Sequence, residues 1–370
     1  MRNKFISALA VLVGTIIGVG FLGIPYVVSK SGFLPGLAYL IFVAVFMMFV
    51  NLYLGEISLR TKGNHQLTGY AEIYLGRKGK ILMLFSMLFG IYSALVAYLI
   101  AEGEVLSFIF SGNESWALIF SLAFWIILSG LTFIGLKALK KYEKISMFLV
   151  LAIFLVILIF FFPKIKIDNL SYINTGSIFL PFGVMIFSFL AFSALPEVER
   201  ILHGQERLMK KVIFVGLLIP FFVYFLFMLV VVGSFGRNVP EIATLILGRG
   251  FSVLAVLTMF TAYFSQAIAI RDMFRFDFGM GRFKGWILAS LVPLVLFFFV
   301  YFFRVASFIS MIAIGGVVSG GLAGVLILLM NKRAKKFGDR KPEYSIGISW
   351  FTIILMALVF IFAVVAQFVF

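Results

Sequence analysis

The chain has 370 residues, of which 63% are hydrophobic and 12% charged, and its mean hydropathy of +1.16 excludes a globular domain in water. It has no cysteine, which excludes disulfides and thiolate chemistry, and its two histidines, His65 and His203, lie beside charged residues outside the apolar segments, which argues against a metal site. The net charge of +16 would indicate nucleic-acid binding in a soluble protein, but in a membrane protein basic residues concentrate in cytoplasmic loops.

Apolar segments recur along the chain, each long enough to cross a hydrocarbon core of about 30 Å as a helix. The sequence therefore predicts an all-α polytopic membrane protein with about eleven transmembrane helices, at 5–28, 34–57, 81–110, 116–136, 145–162, 176–196, 212–232, 250–270, 286–303, 305–330 and 346–368. Between the second and third spans, residues 66–75 form a predicted amphipathic segment at the cytoplasmic face.

The basic residues alternate between the two sides of these spans. With a cytoplasmic N-terminus, 25 of the 31 lysines and arginines fall on the cytoplasmic side and 6 on the outside. A missed or shifted span would scramble this alternation, so it predicts a cytoplasmic N-terminus and an external C-terminus. The same alternation explains the net charge without nucleic acid.

The connections between spans are short, so residues 1–370 are predicted to form a single membrane domain. Eleven spans divide into two sets of five, within residues 1–163 and 174–332, and a final helix at 346–368. Because each set has an odd number of spans, the second is inverted in the membrane. Spans 1 and 6 then occupy equivalent places in opposite orientations.

Spans 1 and 6 are also interrupted by helix-breaking residues. Span 1 contains Gly14, Gly18, Gly20, Gly23 and Pro25, and span 6 contains Pro181, Gly183 and Pro196. Glycine and proline destabilise a helix interior. Small residues can also serve close helix packing, and for the glycines of span 10 we favour close packing or a hinge over ligand binding. Paired interruptions at equivalent places instead indicate a transport site.

Such breaks expose backbone groups that need partners at membrane depth. The amides around Gly18, Val19 and Gly20, at the positive end of the following half-helix, suit a carboxylate. The carbonyls near two pairs of residues suit an ammonium group: Thr15 with Ile16, and Phe187 with Ser188. The ligand implied is an amino acid or a molecule of similar shape.

Three aromatic residues of span 6, Phe187, Phe189 and Phe192, are candidates for a pocket that takes an aromatic or large apolar side chain. In a chain with 48 phenylalanines, lipid contact or packing is the competing interpretation for each of them. The sequence leaves this choice open.

Two groups of polar residues are candidates for ion coupling. Thr261 and Ser265 lie four residues apart on one face of span 8, where their hydroxyls could help bind sodium or could bond carbonyls of their own helix. Glu102 and Glu104 are carboxylates inside span 3, and Glu102 shares a face with Tyr98. An intramembrane carboxylate is a functional candidate for proton coupling, although both could instead line a wet vestibule.

Several motifs resemble those of a known group of transporters. They are Gly14-Thr-Ile-Ile-Gly18-Val-Gly20-Phe-Leu-Gly23-Ile-Pro25 in span 1, Gly69-Tyr-Ala-Glu72 with Leu75-Gly-Arg-Lys-Gly79 in the first cytoplasmic loop, Ala97-Tyr98-Leu99 in span 3, and Phe187-Ser188-Phe189 with Ala194-Leu-Pro-Glu197 in span 6. Together they resemble the amino acid/auxin permease and aromatic amino acid permease families of the amino acid-polyamine-organocation superfamily.

This resemblance implies a leucine-transporter-type 5+5 inverted repeat that moves amino acids by alternating access, driven by protons or sodium. It implies that Gly18 and Gly20 bind the substrate carboxylate and that the backbone from Phe187 to Phe189 binds the amine. Tyr98 of the span 3 motif is a further candidate for substrate contact. We expect a multi-pass protein of a prokaryotic inner membrane with an amino acid as its partner. No cofactor is expected apart from a bound sodium ion in the case of sodium coupling.

Other functions fit the sequence less well. A membrane enzyme acting on a lipid-like substrate would need catalytic carboxylates, histidines or metal ligands clustered at one membrane face, and no such spacing occurs. A channel would need polar rings along several spans. A transporter of another solute stays open, and the sequence gives no indication of oligomeric state.

Overall fold

The computed structural model describes residues 2–135 and 140–369. Fourteen α-helices occur in these ranges, and within the described residues the regular structure is otherwise limited to short 3-10 turns and an isolated β-bridge. Their bounds are α1 Arg2–Ile16, α2 Gly20–Ser31, α3 Phe33–Arg60, α4 Leu67–Ser111, α5 Ala117–Ile134, α6 Lys140–Phe161, α7 Asp168–Ser171, α8 Leu180–Ser188, α9 Leu195–Leu202, α10 Met209–Phe235, α11 Arg249–Phe276, α12 Arg282–Phe303, α13 Phe308–Phe337 and α14 Trp350–Val369.

The predicted spans coincide with these helices. In the described part of the chain, eight helices are long and apolar enough to cross a membrane, and the bent pair α1 and α2 adds a ninth. The two remaining predicted spans fall on α6, whose apolar part is shorter, and on the broken pair α8 and α9. The predicted end of span 4, at residue 136, lies outside the described residues.

Helix α4 combines two of the predicted elements. At Gly76 its backbone has φ +74°, a left-handed value that glycine adopts without a steric penalty, and the chain kinks there. The kink separates the predicted amphipathic segment from span 3.

Both predicted breaks occur. Helices α1 and α2 meet at an angle of 46° across residues 17–19. Helices α8 and α9 are separated by residues 189–194. Helix α1 packs against α9 and α2 packs against α8, so the two broken spans run antiparallel with their breaks side by side. This is the arrangement that an inverted repeat requires.

Helix α13 is the most buried span, and it packs on α4, α8 and α14. Its glycines explain the close approach: a Cβ on Gly316 would lie 2.6 Å from the Gly183 carbonyl oxygen, and one on Gly324 would lie 2.2 Å from the Phe360 ring. The packing role expected for these glycines is therefore confirmed. Helices α12 and α14 are peripheral, and large apolar side chains such as Phe303 and Phe351 point outwards.

Candidate functional site

The two breaks touch at Gly20 and Ser188. A Cβ built on Gly20 would lie 2.4 Å from Ser188 Oγ and 2.9 Å from Ser188 Cα. No side chain fits in that space, so glycine is required for the start of α2 to meet the end of α8.

Gly18 provides a second close approach, towards α4 and α11. A Cβ there would lie 2.5 Å from the Tyr98 hydroxyl and 2.9 Å from Ala262 Cβ. The Tyr98 hydroxyl also accepts a hydrogen bond from the Val19 backbone N–H. Tyr98 thus lies directly on the break of span 1.

A central cavity of about 50 Å³ opens between the breaks. Its walls contain eight of the ten residues predicted to contact substrate: Thr15, Ile16, Gly18, Val19, Gly20, Tyr98, Phe187 and Phe192.

The other two predicted residues, Ser188 and Phe189, do not line this cavity. The Ser188 hydroxyl donates to the Val184 carbonyl, 2.7 Å away. The Phe189 ring is fully buried and packs edge-on against the Tyr224 ring at 5.2 Å between centroids. The expectation of a three-phenylalanine pocket is wrong for Phe189, because its ring packs on Tyr224 of α10 and does not line the cavity.

Sequence reasoning missed part of the cavity wall. The apolar members are Leu67, Met87, Gly90, Ile91, Ala94, Leu190 and Ala323, and the polar ones are Ser193, Gln266 and Ser319. Ser193, in the span 6 break, donates a hydrogen bond of 3.1 Å to Gln266 Oε1 on α11. A side-chain amide at membrane depth is itself a signal of function. Among the missed cavity residues, Gln266 is therefore the one that the sequence alone could have identified.

Tyr224, on α10, was also missed. Its side chain is fully buried, and its hydroxyl lies 2.7 Å from the Ile16 carbonyl oxygen and 2.9 Å from the Ser188 carbonyl oxygen. One hydroxyl thus bridges the backbones of both breaks. Among 13 tyrosines and 48 phenylalanines, nothing in the sequence marks this position.

The hydroxyl residues proposed for sodium lie together around a second cavity, of about 30 Å³, which we term the hydroxyl cavity. Ser265 Oγ lies 3.1 Å from Thr15 Oγ1, linking α11 to α1. The Thr261 hydroxyl lies 3.2 Å from the Leu257 carbonyl and 3.0 Å from the Thr258 carbonyl of its own helix. Ser265 therefore takes the role of a link between spans, and Thr261 bonds within its own helix.

The two carboxylates of span 3 have different surroundings. Glu102 is fully buried, and neither of its oxygens has a hydrogen-bond partner among the described residues. Glu104 lines a vestibule of about 370 Å³ that also contains Glu114, Glu241 and Arg304. The vestibule interpretation therefore fits Glu104 and does not fit Glu102.

The amphipathic segment contributes Leu67 to the wall of the central cavity. The Asp277 carboxylate, at the end of α11, accepts hydrogen bonds from the Gln66 N–H at 3.2 Å, the Gly69 N–H at 2.8 Å and the Thr68 hydroxyl. A negative group at a helix N-terminus is stabilising, so Asp277 fixes this segment at the cavity wall.

Comparison with known proteins gives three kinds of match. A model of the tryptophan/tyrosine permease family matches residues 1–244. The chain is 24% identical over 323 residues to tyrosine-specific transport system 1 of Haemophilus influenzae, covering 79% of this chain and 80% of that protein. It is 22% identical over 246 residues to glutamine transporter 2 of Aliivibrio fischeri, covering 64% of this chain and 63% of that one.

Among solved structures, the chain is similar to MhsT in complex with L-phenylalanine. The TM-score is 0.68 at 17% identity, and the match covers 100% of this chain and 98% of that one. The likeness confirms the predicted leucine-transporter-type fold.

Proposed function

Since the chain belongs to the tryptophan/tyrosine permease family, we propose that it carries tyrosine or a closely related aromatic amino acid across the membrane by alternating access. It is an integral, multi-pass amino acid transporter and not an enzyme. The observation that carries the proposal is the meeting of two broken spans at one cavity. Its walls offer backbone groups, aromatic rings and an amide.

The start of α2 is proposed to bind the substrate carboxylate. The first amides of a helix have no partner within the helix, and the helix dipole favours a negative charge there. The close contacts at Gly18 and Gly20 support this assignment, because they place these amides on the cavity wall without an intervening side chain. The ammonium group would lie across the cavity, towards the carbonyls of the two breaks.

The substrate side chain is proposed to lie between Phe187 and Phe192, with Ile91 on α4. Ser193 and Gln266 would meet its polar end, since a phenol hydroxyl can donate to and accept from this pair. Two relatives are named for tyrosine and for glutamine. Both of these amino acids have a hydrogen-bonding group at the end of the side chain, which agrees with a polar end to this pocket.

Proton coupling through Glu102 is our proposal for the driving ion. A fully buried carboxyl group without a partner is far better tolerated when neutral. Glu102 lies one helical turn from Tyr98, which touches the break of span 1. The hydroxyl cavity is the sodium alternative. It offers the hydroxyls of Thr15, Thr261 and Ser265.

The membrane placement follows the charge distribution. We propose a cytoplasmic N-terminus in a prokaryotic inner membrane, supported by the concentration of basic residues in alternate loops. The motif of span 1 also supports a place in the amino acid-polyamine-organocation superfamily.

The test is uptake into liposomes that contain the purified protein. Tyrosine, tryptophan, phenylalanine and glutamine are offered in turn under an imposed proton gradient, a sodium gradient or no gradient, with protein-free liposomes as the control. We expect proton-driven accumulation of tyrosine. If no amino acid accumulates or exchanges, the proposed function is wrong.

A further inference from the structure

Tyr224 is held between the two broken spans. Its ring packs edge-on to Phe189 at the end of α8 and is stacked on Phe21 of α2, with 5° between the planes and 6.3 Å between the centroids. Its hydroxyl bridges the Ile16 and Ser188 carbonyls at 2.7 and 2.9 Å. Both half-helices that flank the site therefore fix this one side chain.

Both bridged carbonyls belong to the breaks that form the site: Ile16 lines the central cavity, and Ser188, which does not line it, meets Gly20 of the cavity wall. A buried carbonyl at membrane depth needs a donor. The Ile16 carbonyl also receives the Gly18 N–H at 2.8 Å, whereas the hydroxyl of Tyr224 has a single proton to share between two carbonyls. An ammonium group has three, so it can satisfy both carbonyls at once.

We propose that Tyr224 is a positioning residue that stands in for the substrate ammonium while the transporter is empty. When the site is empty, its hydroxyl satisfies the two carbonyls and holds the breaks together, which lets the empty protein return across the membrane. When an amino acid enters, its ammonium takes over these bonds.

This inference depends on the proposed function, and it separates two transport modes. Net uptake requires the return of the empty protein, whereas exchange of one amino acid for another does not. Tyr224→Phe removes the donor and leaves the carbonyls unsatisfied only in the empty state. We expect net uptake to fall at least about tenfold, while exchange between loaded liposomes and medium stays within about twofold of the wild type.

Tyr263→Phe is the matched control. Tyr263 is equally buried, and its hydroxyl has no hydrogen-bond partner among the described residues. This variant should keep the wild-type ratio of net uptake to exchange. An unchanged ratio in Tyr224→Phe, whether both activities persist or both fall together, overturns the inference.

Phe189→Leu provides a second test that retains the hydroxyl, for the case in which Tyr224→Phe is not recovered as folded protein. Loss of the ring that packs against Tyr224 should lower the same ratio at least about threefold, and an unchanged ratio again counts against the inference. If the wild type neither accumulates nor exchanges any amino acid, the proposed function itself fails. If the wild type does both, a negative result in the variants concerns Tyr224 alone.

Discussion

Replacement of Gly20 by alanine tests whether the contact between the two breaks is required. The added methyl group would lie 2.4 Å from Ser188 Oγ and 2.9 Å from Ser188 Cα, and ordinary contact begins near 3.4 Å. The Ser188 hydroxyl can rotate away from the methyl group. Relief of the contact with Ser188 Cα, however, requires the two backbones to move apart by about 0.5 Å. Overpacking of this kind typically costs about 1–3 kcal/mol. That penalty corresponds to roughly a 5- to 150-fold change in the equilibrium between transport states.

The assay is initial-rate tyrosine uptake in liposomes, together with thermal stability of the purified protein. Gly20→Ala should lower the maximal rate at least about fivefold and reduce the stability. Gly130→Ala is the matched control, because a Cβ on Gly130 of α5 meets no atom within 4 Å. The reasoning is refuted if Gly20→Ala matches Gly130→Ala in both measurements.

Three further predictions concern specificity and coupling. Gln266→Leu should weaken uptake of tyrosine roughly three- to tenfold relative to phenylalanine, because one hydrogen bond to the phenol is lost; an unchanged preference would remove Gln266 from the side-chain pocket. Glu102→Gln should abolish accumulation driven by a proton gradient, whereas Glu104→Gln, in the vestibule, should retain it. Proton-driven accumulation by both variants would contradict the role of Glu102. In the wild type, a sodium gradient should drive no more uptake than a potassium gradient. If sodium does stimulate uptake, and the double variant Thr261→Ala, Ser265→Ala removes that stimulation, coupling is assigned to the hydroxyl cavity instead.

Local signals in the sequence were enough to predict the spans and the breaks. The length of an apolar run sets whether a helix crosses the bilayer, and glycine and proline weaken a helix wherever it packs. The breaks after Ile16 and after Ser188 followed from these properties alone. The amphipathic segment and span 3 were predicted as separate elements, and the structure adds the kink at Gly76 between them.

The composition of the site was predicted in part, where a backbone requirement or a family motif marked the residue. Gly18 and Gly20 are identified by the motif of span 1, and Tyr98 by its place in the motif of span 3. Each of these residues lies on the central cavity. Phe189 was assigned to the pocket although its ring packs on Tyr224, because a run of apolar residues does not say which neighbour each of them meets.

Only the tertiary structure revealed the bridge from Tyr224 and the pairing of Ser193 with Gln266. In a soluble protein, the polar face of a helix indicates which side is buried. Spans in a bilayer are apolar on the faces that meet lipid as well as on those that meet protein. The sequence therefore does not indicate how each helix is rotated about its own axis. That rotation, and therefore which side chains reach the site, was decided by the packing of each helix against its neighbours.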